Sequence, residues 1–452
     1  MVSRRDFLKT LASAAIVSST GGKIIASVSG RGRNCVIVGA GLAGLSAGYR
    51  LIKSGWNVTI IEARQRIGGR VFSYRFPQNA NLVCELGAEW IGESHQRIQE
   101  LCREFSLELK THRFDDYLLR DGRVYRPGEW GFSEKAKKAF EKLVADYPKM
   151  TLRQKARLDR IDWWRKLSGI GFSTDDLLLR DLMDSTDFGE SIRHVSAFAA
   201  LAEYAESCPH NEMDFKITGG NQRLTEEFAA RIGMQSFRPG ERVEEITQRR
   251  TEVFIKTDKQ NYKADACIVT APVASVRKIK FTPPLTARKR AALEELTYSR
   301  IVKNAVLFEE RFWPADDFSL VSDTSSHYYF HSTQNQPDKQ GILCSYAIGE
   351  KADLLASQSD RRRMSAITHD LRDFEKRAGE LSLSIASYAW QRDEFTEGAY
   401  ALYRPGQWFS LRPILQEPHG KVLFAGEHLA DWQGFMEGAI ETGEAAADAL
   451  IK

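Results

Sequence analysis

The chain changes its hydrophobic period several times, and each change marks an element. An apolar run, Val36-Ile37-Val38, breaks into glycines at Gly39, Gly41 and Gly44, turns helix-like through Lys53, and returns to an apolar run ending in Glu62. That order predicts strand, tight turn, helix and strand. A loop and another helix follow to about residue 110. From Phe132 to Glu206 the period becomes helical: Ala136, Phe140, Leu143 and Val144 recur at one face, and RQKARLDRIDWWRKL and SIRHVSAFAALAEYA continue the pattern. This stretch reads as a helical insertion. Strand alternation returns in TEVFIKT, KADACIVTAPV, RIVKNAVLFEERFW and GILCSYAIG. SDRRRMSAITHDLRDFEKRA reads as a charged amphipathic helix, with Asp360 to Arg363 on its solvated face. The chain closes on a strand, KVLFAGEH, and a helix starting near Gly434. No internal repeat or low-complexity tract interrupts it. The expectation is a mixed α/β fold whose two domains the chain visits alternately. One takes 34–110, 216–285 and 390–452, and the other takes 111–215 and 286–389 as a mixed sheet with helices.

Composition narrows the class. With 452 residues, 42% of them hydrophobic, there is enough apolar surface for a sizeable core. A net charge of +4 from 64 basic and 60 acidic residues is near balance, so neither nucleic acid nor an acidic membrane is called for as a partner. No run reaches the ~20 apolar residues of a membrane span. Cys35, Cys84, Cys102, Cys208, Cys267 and Cys344 are scattered, which argues against a disulfide framework or a zinc site. His327 and His331 have the i, i+4 spacing of a helical metal pair, but the residues between them favour a strand that separates the rings, so no metal is expected. Ser3-Arg4-Arg5-Asp6-Phe7-Leu8-Lys9, followed by the short apolar stretch from Leu11 to Ser18, resembles a twin-arginine export signal. Residues 1–30 are therefore expected to be a signal or N-terminal arm. The resemblance implies the twin-arginine export machinery as a partner and a periplasmic or secreted bacterial location.

The glycine turn carries the first chemistry. Gly39 permits the tight turn, Gly41 lets backbone approach a pyrophosphate, and Gly44 lets helix and strand pack closely. The phosphates would sit on the open helix N-terminus. Glu62, ending the next strand, can accept from a ribose 2′-OH and would repel a 2′-phosphate. The expected domain is therefore Rossmann-like. Directly after it, Ala63 to Arg70 adds Arg64, Arg66 and Arg70 as phosphate-binding forks, with Gly68 and Gly69 letting backbone lie against a flat or crowded ligand.

This tail resembles the signature of the flavin-containing amine oxidases, E-A-R-x-R-x-G-G-R. The likeness runs nearly from Asn34 to the C-terminus and is weakest in the helical insertion. It implies non-covalently bound FAD, because Ala399 stands where relatives with covalently attached flavin carry a cysteine. ELGAEWIG, with Gly87, Ala88, Glu89 and Trp90, resembles the segment beside the flavin ring. ITGGNQRL resembles the return into the FAD domain, and Val243 stands where the family's adenine-contacting strand lies. FAGEHLADWQGFMEGAIETG, with Gly426, Glu427, Gly434, Phe435 and Met436, resembles the second flavin-binding segment, in which Glu427 would contact the ribityl–pyrophosphate region. Lys303 matches the lysine that holds a water against flavin N5. Trp390 to Gly406 resembles the segment supplying one wall of an aromatic cage, completed by Tyr400 and Phe435. The implied catalytic residues are thus Lys303, Tyr400 and Phe435.

The implied reaction is hydride transfer from the amine-bearing carbon to flavin N5, giving an imine that water hydrolyses to a keto acid or aldehyde plus ammonia. O2 is reduced to peroxide, and no indispensable general base is required. GILCSYAIGEKADLL resembles the L-amino acid oxidases, in which the tyrosine, here Tyr346, touches the substrate carboxylate. The venom enzymes of that type carry an arginine where this chain has Trp90, leaving Arg404 or an arginine of the insertion as the anchor. Substrate contacts are expected from Trp90, Tyr346, Tyr400 and Phe435. Monoamine and polyamine oxidation stay open, the latter because Glu89 and Glu93 could attract a second cationic group. A flavin dehydrogenase with another electron acceptor, and a homodimer, also stay open.

Overall fold

A computed structural model describes residues 32–452, so the twin-arginine motif lies outside the described residues. The described residues form two compact units, the first holding 32–70, Gln222–Leu296 and Phe409–Lys452, the second Val71–Asn221 and Thr297–Trp408.

The first unit is built on a parallel five-stranded sheet in the order Val422–Phe424, Ala266–Val269, Asn34–Val38, Asn57–Glu62, Phe237–Pro239. Its central strands are nearly continuous apolar runs, as a parallel sheet covered on both faces demands. The helix Leu42–Lys53 leaves the glycine turn and packs against the C-terminal helix Met436–Ile451. Their approach is close. A Cβ on Gly443 would stand 2.1 Å from the Ala43 carbonyl oxygen and 2.3 Å from Ser46 Oγ, whose hydroxyl donates to the carbonyls of Ala43 and Ile440. A second, four-stranded sheet is ordered Asn261–Ala264, Val253–Thr257, Val243–Gln248, Lys280–Thr282.

The second unit carries a seven-stranded sheet in the order Ser382–Ala389, Ile301–Phe308, Gly341–Ile348, Tyr328–His331, Phe318–Ser322, Asp115–Arg120, Arg123–Tyr125. Ile301–Phe308 and Gly341–Ile348 are buried at every position, polar residues included. Their polar groups are matched: Asn304 donates to Ser345 Oγ and accepts from Ser387 Oγ. Register sets Tyr388, Lys303, Tyr346 and Tyr328 in one row across four strands, hence on one face. Val302 and Ala347 point to the other face, against Ala352 and Leu355. The insertion is helical as expected, with Glu134–Asp146, Leu152–Leu158, Trp163–Gly169, Thr174–Phe188 and Ala197–Glu206. Thr174–Phe188 starts at a capping box of Ser173 and Asp176 and stops at Gly189, whose φ of 71° only glycine adopts at little cost.

The unit boundaries differ from the expected ones. Residues 71–110 belong to the second unit, because the hairpin Ser73–Phe76/Asn79–Glu85 leads into carboxylates bonded to Asn221 and Lys216. Residues 390–408 belong there too: Trp390 Nε1 donates to the Leu86 carbonyl, and Ala401–Leu402 pairs with Thr297–Tyr298. Among the described residues, no helix is long and apolar enough to cross a membrane.

Two outcomes follow from this packing. Gly443→Ala should destabilise by about 1–3 kcal/mol, since two backbones must separate to admit a methyl group; an unchanged melting temperature would contradict it. Burial pushes His112 and His428 each down to about 4. Unfolded histidine takes up a proton near pH 6.5, so the unfolded state gains protons first and stability falls as pH drops from about 6.5 to 4. Denaturant midpoints that stay constant across that window would exclude the effect.

Candidate active site

In the first unit the glycine turn and the basic tail form one cradle. Gly39 has φ of 108°, and a Cβ there would meet Thr270 Oγ1 at 2.8 Å; one on Gly44 would lie 2.0 Å from the Gly39 carbonyl oxygen. Gly41 caps the helix Leu42–Lys53 without a side chain, and the first turn holds no acidic residue, so its positive end stays open to an anion. Gly41 and Gly68 form a parallel bridge, and Gly68 N–H donates to the Ala40 carbonyl at 2.8 Å. A Cβ on Gly69 would come within 3.1 Å of Gly41 Cα. The tail from Ala63 to Arg70 therefore closes over the glycine turn.

Glu62 is buried and accepts the N–H groups of Ala40 and Arg64, each at 2.8 Å, on separate oxygens. Burial pushes its carboxyl upward against the pull of those two bonds. Each oxygen keeps a lone pair for a ribose hydroxyl. Glu427 ties the distant motifs together: Oε1 accepts from Arg70 Nη1 at 2.7 Å and Oε2 from Gly434 N–H at 2.8 Å. It acts as a brace between the basic tail and the last helix start. Phe435 stands at the N-cap of Met436–Ile451, whose first turn carries the buried Glu437. Val243 is buried at the head of its strand. The open N-terminus of the helix Leu42–Lys53, a ribose acceptor and backbone surfaces that a Cβ would fill suit a dinucleotide such as FAD.

In the second unit Lys303 is buried rather than exposed, its Nζ 2.9 Å from Glu89 Oε2. The other oxygen of Glu89 faces Lys216 Nζ at 3.0 Å and His112 Nε2 at 3.1 Å. Burial opposes ionisation of Glu89, but the two ammoniums and the imidazole outweigh it and hold the carboxyl well below the usual carboxylate range. Glu89 is thus fully engaged, and the exposed Glu93 is paired with Arg113, so neither is left over for a second substrate cation. Asn221 Nδ2 fixes the ELGAEWIG segment by donating to the carbonyls of Ala88 and Glu89, while Gly87 N–H donates to the Phe72 carbonyl.

The Tyr346 and Tyr400 hydroxyls lie 3.5 Å apart, and both donate toward the Thr186 carbonyl, at 3.4 and 2.6 Å. Burial pushes both phenols upward. Trp90 packs on Phe330 at 5.1 Å between ring centres, with its buried Nε1 unbonded within the protein. Trp390 is buried against Tyr388, ring centres 4.4 Å apart. Arg404 is exposed. In the insertion, Arg180 is buried among Phe132, Phe140 and Tyr204, beside Asp184. His331 spends both ring nitrogens on the Asp316 carbonyl and Thr333, and His327 Nδ1 accepts the Ile348 N–H.

Lys216, His112, Thr186 and Asn221 were not legible as site residues. Lys216 left one trace, a lysine between Phe215 and Ile217 in a short strand. Glu62→Gln should lower FAD affinity about tenfold, since an amide presents a donor where Ala40 or Arg64 needs an acceptor, worth about 1.4 kcal/mol. Flavin retained through dialysis, read at its visible absorption band, checks this; unchanged retention would remove Glu62 from the cradle.

Comparison with known proteins fits this geometry. The chain is 27% identical to the L-amino acid oxidase of Cerastes cerastes over 457 residues, covering 92% of this chain and 86% of that protein. It is 25% identical to the L-amino acid dehydrogenase of Synechocystis over 456 residues, covering 92% and 94%. Its fold is similar to that of wild-type putrescine oxidase bound to putrescine, with a TM-score of 0.82, 22% identity, and 93% and 99% of the two chains covered. The model of the flavin containing amine oxidoreductases matches residues 42–451, and the chain belongs to that family of FAD-dependent enzymes.

Proposed function

We propose that the protein oxidises L-amino acids to 2-oxo acids and ammonia, passing the electrons to O2 to give hydrogen peroxide. The observation that carries the reading is the Tyr346–Tyr400 hydroxyl pair, 3.5 Å apart and gathered at the Thr186 carbonyl. FAD, when bound, supplies the acceptor for the hydride leaving the amine-bearing carbon. Burial keeps both phenols neutral, so no like charge stands against a carboxylate; Tyr400 spends its one O–H on the Thr186 carbonyl at 2.6 Å, and Tyr346, only 3.4 Å from that carbonyl, is the one that turns its O–H to the substrate. Tyr400 and Phe435 are assigned the aromatic walls, which exclude water and favour the neutral amine over ammonium. Lys303 is assigned to the flavin N5 side, where an ammonium stabilises negative charge developing on oxygen. Its place in one sheet row with Tyr346 supports the pairing of these roles. Ala399 supports dissociable FAD, and Ser3 to Lys9 supports export through the twin-arginine route.

Two other readings have a specific support each. The dehydrogenase name of the Synechocystis relative favours an acceptor other than O2. Trp90, in place of an arginine, and the likeness to putrescine oxidase favour amines without a carboxylate.

A peroxide assay over L-amino acids, monoamines and polyamines decides among them. L-Amino acids should respond, and Tyr346→Phe should raise KM about tenfold with kcat little changed, the loss of one carboxylate hydrogen bond. A response confined to amines lacking a carboxylate would overturn the amino-acid reading. Flavin that bleaches with substrate and stays bleached in air would overturn the oxidase reading.

A further inference from the structure

Lys303 stands in a setting that is hard on a cation. Its Nζ lies 5.6, 5.5 and 5.7 Å from the ring centres of Trp90, Phe330 and Tyr346, and only 4% of the residue is exposed. Aromatic faces attract an ammonium but do not replace the water it has lost. A lysine so placed needs a carboxylate at bonding distance, and that carboxylate needs partners of its own.

The second unit supplies the whole set. Glu89 meets Lys303 on one oxygen and Lys216 and His112 on the other. Lys216 also donates to the Ser332 carbonyl at 3.2 Å and stands 3.9 Å from Glu85 Oε1. Glu85 accepts the Asn221 N–H and the Ser73 hydroxyl, and its backbone carbonyl faces Lys303 Nζ at 3.4 Å. The remaining titratable groups facing the cluster are Tyr346, the thiols of Cys84 and Cys344, and His331 beyond His112. Burial pushes the phenol and both thiols up and both imidazoles down, so all five are neutral at pH 7. Burial pushes the Glu85 carboxyl up, and Lys216, the Ser73 hydroxyl and the Asn221 N–H pull it back toward the ionised form; with Glu85 ionised, two carboxylates balance two ammoniums.

We infer that Glu89 is the positioning residue of Lys303: it keeps Lys303 an ammonium and fixes its direction, while Lys216 and His112 on the opposite oxygen keep Glu89 ionised and unable to turn away. This rests on the reading of Lys303 as the flavin-facing lysine, but the electrostatic device itself lies within the second unit. Lys216 has a defined part in it. Without Lys216 the cluster would carry a net negative charge; without Glu89 it would carry two ammoniums against Glu85 alone.

The test follows the Lys303 signal in holoprotein carrying 13Cε-lysine, assigned with Lys303→Met, alongside the pH profile of flavin reoxidation by O2. In Glu89→Gln the Lys303 signal should move to the free-amine position at a pH at least about one unit lower than in the wild type. The alkaline limb of reoxidation should move down with it. Glu89→Gln combined with Lys216→Met restores charge balance and should return both toward wild type, which a merely structural role of Glu89 would not do. Glu89→Asp, which keeps the charge on a shorter arm, gives an intermediate shift if Glu89→Gln fails to fold. A Lys303 signal unmoved in every Glu89 variant overturns the inference. A signal that moves while reoxidation stays the same in both Glu89→Gln and Lys303→Met upholds the positioning role and overturns the flavin assignment of Lys303.

Discussion

A carboxylate taken out of water survives as an anion only where donors meet its lone pairs, and three of the described glutamates show how this protein meets that demand. Glu62 meets two backbone N–H groups, Glu427 an arginine and a backbone N–H, and Glu89 two lysines and a histidine. Each also joins separate segments, near in sequence for Glu62 and far apart for Glu427 and Glu89. Glu62 fixes the glycine turn to the basic tail, Glu427 fixes that tail to the last helix, and Glu89 joins the ELGAEWIG loop to two strands.

The way charge is handled separates the two units chemically. In the first, the donors are mostly backbone amides at turns and helix starts, which carry partial charges and suit a ligand rich in phosphate oxygens. In the second, the donors are side-chain cations set among aromatic rings on one face of a buried sheet. Tyr328, Tyr346, Lys303 and Tyr388 share a row there because antiparallel register aligns them. A row of phenols around one cation is a surface suited to holding a small polar molecule out of water.

What could be seen in the sequence was what is local. The glycine turn, Glu62 and the arginines lie within about one βαβ unit, so their spacing alone reports their proximity. The helical insertion announced itself by period, and the strands by alternation. Lys303 stood out because an ammonium amid Ile301, Val302, Ala305 and Val306 is anomalous for a surface strand. Its partners did not stand out: Glu89 and Lys303 are 214 residues apart, and Lys216 lies 127 from Glu89. Nothing in the neighbourhood of either glutamate or lysine encodes such a pairing. Thr186 acts through its carbonyl, which every residue has, so no side-chain pattern marks it. The unit boundary fell at Arg70 and not near residue 110 for the same reason, since it depends on bonds from Glu85 and Glu89 to strands encoded much later.

The brace at Glu427 has a consequence for the order in which the protein comes into being. Arg70 leaves the ribosome 357 residues before the glutamate that will hold it. At the usual pace of synthesis, about 5–20 residues per second, that is an interval of roughly 20–70 s. Through it the helix Leu42–Lys53 lacks Met436–Ile451, the partner that packs against it. The dinucleotide cradle therefore waits, for all of that interval, on a brace and a packing partner encoded far downstream of its glycine turn.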